Sequence, residues 1–206
     1  MPGRKAERKH LFNQMIRTDI QKAVTNLVTR TGTRRVTMDQ VATEAGVSKG
    51  CLYLHFRSKK ELVESVKEAC FKPLVHQLQN ILNGPLAPDR KIESFVCRML
   101  GYFDENRVLF RFLLEEREIA QSQATRHKSS RYRNFVERIT GVLNDGVAQG
   151  FFRKLESKKV ASMFIEGMIA MAARRLLDEN PGPVEEDTRL LIEVFLRGIA
   201  ARPETH

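Results

Sequence analysis

The chain has 206 residues, 42% of them hydrophobic and 29% charged, which excludes a disordered polyelectrolyte and leaves room for a real core. Its net charge of +10 is lopsided, with about +9 on residues 1–60 and +1 on the rest, so the first third is expected to meet a polyanion rather than merely solubilise the chain. No apolar run reaches the roughly 18 residues of a bilayer span, MPGRKAERKH lacks a signal-peptide core, and three irregularly spaced cysteines make no disulfide framework. A cytoplasmic protein with reduced thiols and no membrane partner is the expectation.

In chain order, Ile16, Ile20, Ala23, Val24 and Leu27 recur at helical spacing, and Gly32 reads as the stop. Thr37-Met-Asp-Gln40 is a capping box opening a short helix with Val41, Ala42 and Ala45. Ala-Gly-Val-Ser follows, then a second short helix, the layout of a helix-turn-helix. Gly46 suits the left-handed corner, Val47 plugs the angle, and Ser48 suits an N-cap. On a helical wheel Leu52 and Phe56 face inward while Lys49, Gly50 and Tyr53 face outward. Ser58-Lys-Lys-Glu61 is a second capping box, opening a helix through Leu62, Val66, Ala69, Leu74 and Leu78, with Pro73 expected to kink it.

NGPLAP, residues 83–88, is the strongest punctuation in the chain. Ile92, Phe95, Met99 and Tyr102 mark the next helix, and residues 108–119 a shorter one. Tyr132, Phe135, Val136, Ile139 and Leu143 mark a further helix stopped near Gly150. Val160, Met163, Phe164, Gly167, Met168 and Met171 mark another. Pro183 with Glu185, Glu186 and Asp187 then starts the last. The fold class is all-α with about nine helices, no strand pattern and no repeat. The expected organisation is a DNA-binding domain over 1–57, a connecting helix over 58–82, and a larger helical domain over 83–206.

The outward set suits DNA. Lys49 can meet a phosphate or a base edge, and Gly50 lets the backbone approach a duplex closely. Tyr53 and His55 can hydrogen-bond phosphates, and Lys59 beside the amides of the next helix start can hold another. Singly, each has a duller reading: an exposed glycine, a surface tyrosine, a locally bonded histidine.

Together they carry a resemblance. TMDQVATEAGVSKGCLYLHFRSKKEL, Thr37 to Leu62, resembles the DNA-binding segment of the TetR family, the tetracycline-repressor-like regulators of bacteria. The resemblance implies DNA contacts at Thr37, Ser48, Lys49, Gly50, Tyr53, His55 and Lys59. Cys51 departs from the threonine, alanine or serine more usual there, and no partner cysteine suggests a redox role. The resemblance further implies a second domain that dimerises and holds a small-molecule effector.

The last helix, LLIEVFLRGIA, is apolar over more than one face, so it needs cover on two sides. With the small residues Gly167, Ala170, Ala172 and Ala173 before it, two helices from each subunit would make a four-helix interface. Gly167, Met171, Leu191, Phe195 and Ile199 are the expected interface residues, burial within one chain being the alternative. For an effector, residues 89–164 hold 8 of the 12 phenylalanines. Phe95, Met99, Tyr102, Phe103, Phe135 and Phe164 are candidate lining residues, equally able to be ordinary core. Arg98, Arg107 and Arg111 are candidates to meet an anionic group. No phosphate loop, nucleophile–base pair or metal spacing is present, so no enzyme, cofactor or metal site is expected.

The expected mechanism is a dimeric repressor with two recognition helices in successive major grooves of a palindromic double-stranded operator, about 34–36 Å apart. A ligand that prefers another tilt of the connecting helix releases it. Control by a protein partner, action without a ligand, or activation are the alternatives.

Overall fold

The computed structural model describes residues 3–31, 36–116 and 130–200. Nine helices lie among them: α1 Gly3–Thr31, α2 Met38–Glu44, α3 Lys49–His55, α4 Lys59–Asn83, α5 Pro88–Glu105, α6 Arg107–Glu115, α7 Ser130–Ala148, α8 Ser157–Leu177 and α9 Val184–Ile199. The all-α expectation holds, the one extended pairing among the described residues being an isolated bridge between Phe152 and Ala200. Gly32, read as the stop of the first helix, and residues 117–119, read as the end of the sixth, lie outside the described residues.

The chain forms two compact units, Met1–Pro73 with Val108–Ile119 and Leu74–Arg107 with Ala120–His206. The division falls inside α4, beside Pro73, rather than at NGPLAP. α4 continues through that proline as one helix.

In the first unit α1 packs on α2 and α3, and α2 on α3. Ile20, Val24, Val28, Val41, Leu52, Phe56 and Leu62 are buried there. Polar ties align the helices: Arg30 pairs with Glu44 at 2.7 Å, and the Gln21 amide donates to Ser65 Oγ at 2.6 Å. Phe71 of α4 meets Phe110 of α6 edge to face, ring centres 5.2 Å apart. α1 begins about a dozen residues before the periodic stripe that announces it. Ala, Arg, Lys and Glu over residues 4–9 are good helix formers. Residues 6–15 are exposed, so no core face marks that part of the sequence.

In the second unit α5 packs on α7, α8 and α9, and α7 packs closely on α8. Pro88 opens α5, its missing N–H falling where a helix has no use for one. Gly150, at φ +79°, ends α7 as expected and turns the chain back, so that the amides of Phe151 and Phe152 both donate to the Gly146 carbonyl. The Phe152 ring then lies over Gly146, where a Cβ would stand 2.1 Å from it.

One buried charge fastens three helices. Arg175 of α8, 4% exposed, donates to Asp104 of α5 at 2.8 Å and to Asp187 of α9 at 2.6 Å. It also donates to the carbonyls of Pro181 and Gly182. Burial opposes its charge, yet these carboxylates and hydrogen bonds hold its pKa above the ordinary arginine value. Asp187, read in sequence as a helix-dipole acid, is spent on Arg175 and on Arg174 at 2.7 Å.

Because the Phe152 ring leaves no room for a methyl group, Gly146→Ala is expected to cost about 1–3 kcal/mol. Urea unfolding followed by circular dichroism should show a lower midpoint at unchanged slope; an unchanged midpoint would mean that the ring moves aside freely.

Candidate nucleic-acid interface

The corner is built as its sequence requires. The Thr37 hydroxyl accepts from the Gln40 amide at 3.3 Å, and the Gln40 side chain accepts from the Thr37 amide at 2.9 Å. α2 ends with Gly46 at φ +65°, its amide donating to the Thr43 carbonyl at 3.1 Å and that of Val47 to Ala42 at 3.0 Å. Ser48 then caps α3, its hydroxyl accepting from the Cys51 amide at 3.1 Å. Both N-caps satisfy donors that a helix start leaves unpaired. The box at Ser58 is displaced by one residue. Ser58 Oγ accepts from the Glu61 amide, but the Glu61 carboxylate accepts from the amide of Arg57 instead of that of Ser58.

α3 has a sharp division between its faces. Leu52 and Phe56 are wholly buried. Thr37, Ser48, Lys49, Gly50 and Tyr53 are exposed, while His55 and Lys59 are half-buried. The outward wheel positions are therefore brought to one surface. A Cβ on Gly50 would meet only the Ser48 hydroxyl, at 4.0 Å, so nothing inside the unit requires a glycine there.

Two of the expected DNA-contacting lysines hold carboxylates. Lys49 Nζ lies 2.8 Å from Asp39, and that hydrogen bond and charge raise its pKa above the ordinary lysine value. Lys59 Nζ lies 2.6 Å from Glu116. Both would have to exchange a carboxylate for a phosphate.

Three residues of this surface escape sequence reading. Arg17 of α1 donates to the His55 carbonyl and stacks over the Phe56 ring at 4.2 Å, holding the end of α3. In the sequence it is one more basic residue among many. Asp39 looks like an ordinary first-turn acid, and only the fold brings it to Lys49. Leu54 is 86% exposed, on the same side as Gly50 and Tyr53, but an apolar side chain carries no polar signal of a nucleic-acid contact.

The candidate effector residues sort differently. Phe95, Met99 and Phe164 are buried, whereas Tyr102, Phe103 and Phe135 are half-buried. Phe95 lies edge to face on Phe135 at 5.6 Å and near Phe164 at 6.3 Å, so these rings pack on one another. A depression between α5 and α8, lined by Leu100, Phe103, Arg107 and Arg175 among others, has no interior space for a water molecule. The arginines considered for an anionic ligand have partners within the chain. Arg98 grips Glu105 at 2.8 Å and holds its carboxyl below the usual range, Arg111 pairs with Glu115, and Arg107 donates to the Asp178 carbonyl.

Of the expected interface residues, Gly167 is exposed, with open space where its Cβ would stand, and Met171 and Leu191 are half-buried. Phe195 stacks on Phe164 at 4.2 Å, and Ile199 is buried in its own unit. Part of the wide apolar girth of α9, at Phe195 and Ile199, is therefore covered inside the chain. On the last two helices the exposed large apolar side chains among the described residues are Met163 and Leu177 of α8 and Leu190 and Val194 of α9. All three cysteines are free thiols. Among the described residues no group of ligating side chains could hold a metal, and no helix is long and apolar enough to cross a membrane.

Residues 20–66 match the family model for bacterial regulatory proteins of the tetR family. Residues 85–174 match that of a tetracyclin repressor-like C-terminal domain. The chain belongs to the TetR family. It is thus a DNA-binding transcriptional regulator and not an enzyme. It is 23% identical over 186 residues to the transcriptional repressor KstR2 of Rhodococcus jostii, covering 90% of this chain and 91% of that one. It shares the fold of the regulator PfmR of Thermus thermophilus, with TM-score 0.65 and 26% identity over 86% of this chain and 97% of that one. The regulator FadR of Bacillus subtilis, solved with stearoyl-CoA, has TM-score 0.69 at 15% identity, over 88% and 98% of the two chains.

Asp39→Asn removes a negative charge from the surface around α3 and frees Lys49. It is expected to tighten binding to a random duplex several-fold at low salt, measured by fluorescence anisotropy, with a steeper salt dependence. Unchanged affinity and slope would place Asp39 away from bound DNA. Gly50→Ala should act oppositely on two measurements. It should raise the thermal midpoint, by up to about 1 kcal/mol of helix propensity, and weaken DNA binding. A stabilised variant that binds as before would remove Gly50 from the contact surface.

Proposed function

We propose that this regulator is a homodimeric, cytoplasmic repressor whose α3 helices enter successive major grooves of a palindromic operator, and that a small apolar or amphipathic ligand releases it. The observation that carries the DNA half is the division of α3: two wholly buried anchors behind, and Lys49, Gly50 and Tyr53 exposed in front. Lys49 and Gly50 sit at the first turn, where a major-groove helix meets base edges. Thr37, Ser48, Tyr53, His55 and Lys59 position the helix through phosphates.

Dimerisation is supported by exposed apolar side chains at helical spacing on neighbouring helices. Met163 and Val194 are 73% and 65% exposed. Met163, Gly167 and Ala170 follow one face of α8, and Gly167 leaves space for a partner helix to come close. Such a stripe on two adjacent helices is the half-interface of a four-helix bundle.

A ligand of mixed character is supported by the phenylalanine cluster of the second unit, Phe95 with Phe135 and Phe164, and by the stearoyl-CoA bound to the FadR relative, an apolar chain on a polar head. In this chain Phe95 packs against both Phe135 and Phe164, so a ligand taken up among them parts the rings. Its effect on DNA binding is bounded by its preference for the parted state.

Sedimentation and operator titration test the proposal together. Val194→Asp places a charge in the apolar stripe and is expected to shift the protein from dimer to monomer, weakening binding to a two-half-site duplex at least tenfold. An unchanged dimer with the variant moves the interface elsewhere. Lys49→Ala should weaken binding to the same duplex without changing oligomeric state, and equal affinity would refute the role given to α3.

A further inference from the structure

We infer that Leu54 reads thymine, through the C5 methyl group in the major groove, and is a specificity-determining residue of the recognition helix. The inference rests on the assignment of α3 to DNA. Leu54 lies one turn after Gly50 on α3, and residues four apart on a helix are neighbours on its surface. It is 86% exposed, the most exposed of the large apolar side chains among the described residues. On the opposite side of this helix, Leu52 is wholly buried. The seven residues of α3 therefore hold one leucine sunk in the core and one turned outward.

Isolated surface leucines are common, so exposure alone decides little. The surroundings decide more. On α3 the neighbours of Leu54 on the exposed face are Tyr53 and Gly50, with Lys49 beyond, so it is the one aliphatic side chain on that face of the helix. Gly50 has no Cβ, so a duplex that meets this turn of the helix can approach closely enough to reach Leu54. In the major groove each base pair offers donors and acceptors, and the thymine methyl is the one apolar group displayed there. A leucine has no polar atom, so it satisfies none of the other base edges. Opposite a cytosine N4 amine or a guanine O6 it would strip water from a polar group and return no hydrogen bond. The residue thus selects by attraction to thymine and by penalty against the polar edges.

The test uses the full chain and a duplex selected by it from a random-sequence pool. Each thymine of the selected half-site is replaced in turn by deoxyuridine, which deletes only the methyl group. With the wild-type protein, one or two positions should lose about fourfold in affinity, as expected for a buried methyl-sized group. With Leu54→Ala those same positions should show no difference between thymine and deoxyuridine, while the melting temperature stays unchanged. A deoxyuridine scan identical for the two proteins overturns the inference. Lys49→Ala separates the two levels. If it weakens binding while the scans stay identical, α3 reads DNA without Leu54. If it leaves binding unchanged, the DNA face itself is misplaced and Leu54 falls with it.

Discussion

The left-handed corner at Gly46 decides where every side chain of α3 points. Only a residue without a Cβ adopts φ +65° at little cost, and that angle lets the Val47 amide reach back to Ala42 while Ser48 begins a new helix. A helix of seven residues has no stability of its own in water. α3 persists because its ends and its back are held: Ser48 caps one end, Leu52 and Phe56 are sunk in the core, and Arg17 grips the carbonyl and ring at the other end. With the back fixed, the front has no freedom. Lys49, Gly50, Tyr53 and Leu54 share one surface because the anchors leave no other arrangement.

That surface carries its own counter-charges. Asp39 beside Lys49 and Glu116 beside Lys59 mean that a polyanion reaching these lysines replaces a carboxylate already in place. The gain from each contact is a difference between two pairings. Exposed pairs contribute little, so the Lys49–Asp39 exchange is nearly free and stays sensitive to salt. Arg175 shows the opposite design. With its side chain 5% exposed and shared between Asp104 and Asp187, it has no solvent to fall back on, and losing a partner would strand a buried charge. One molecule thus uses ion pairs in two ways, as replaceable partners on its basic face and as a fixed joint between α5, α8 and α9.

Much of the first unit was legible because its constraints are local. A capping box, a glycine corner and a serine cap act within three or four residues, so residue type and spacing alone define them. Pairings across the fold are another matter. Nothing near Asp39 in sequence announces Lys49, and the Arg17 that braces α3 lies 38 residues before its acceptor. The N-terminal part of α1 was missed because periodicity detects burial, and residues 6–15 bury nothing. The second unit was legible as helices and much less so as surfaces. An apolar stripe does not say which neighbour covers it, and the periodicity of α9 cannot separate cover by its own chain from cover by a partner. Within the chain, Phe195 meets Phe164 and Ile199 is buried.

The glycines that favour no special turn separate these two kinds of demand. At Gly146 a Cβ would run into the Phe152 ring, so the requirement is internal and any methyl group there disturbs packing. At Gly50 and Gly167 a Cβ would meet open space or a lone hydroxyl at van der Waals distance. A glycine within a helix costs about 1 kcal/mol against alanine, and among the described residues no close contact requires the missing side chain at these two sites. Gly101, Gly141 and Gly198 have the same open space, so the space alone names no partner. At Gly50 on the basic face and Gly167 on the apolar one it suits the close approach of the duplex and the second helix proposed above. Two glycines that weaken the isolated chain thus sit where close approach by another molecule would reward the missing side chain.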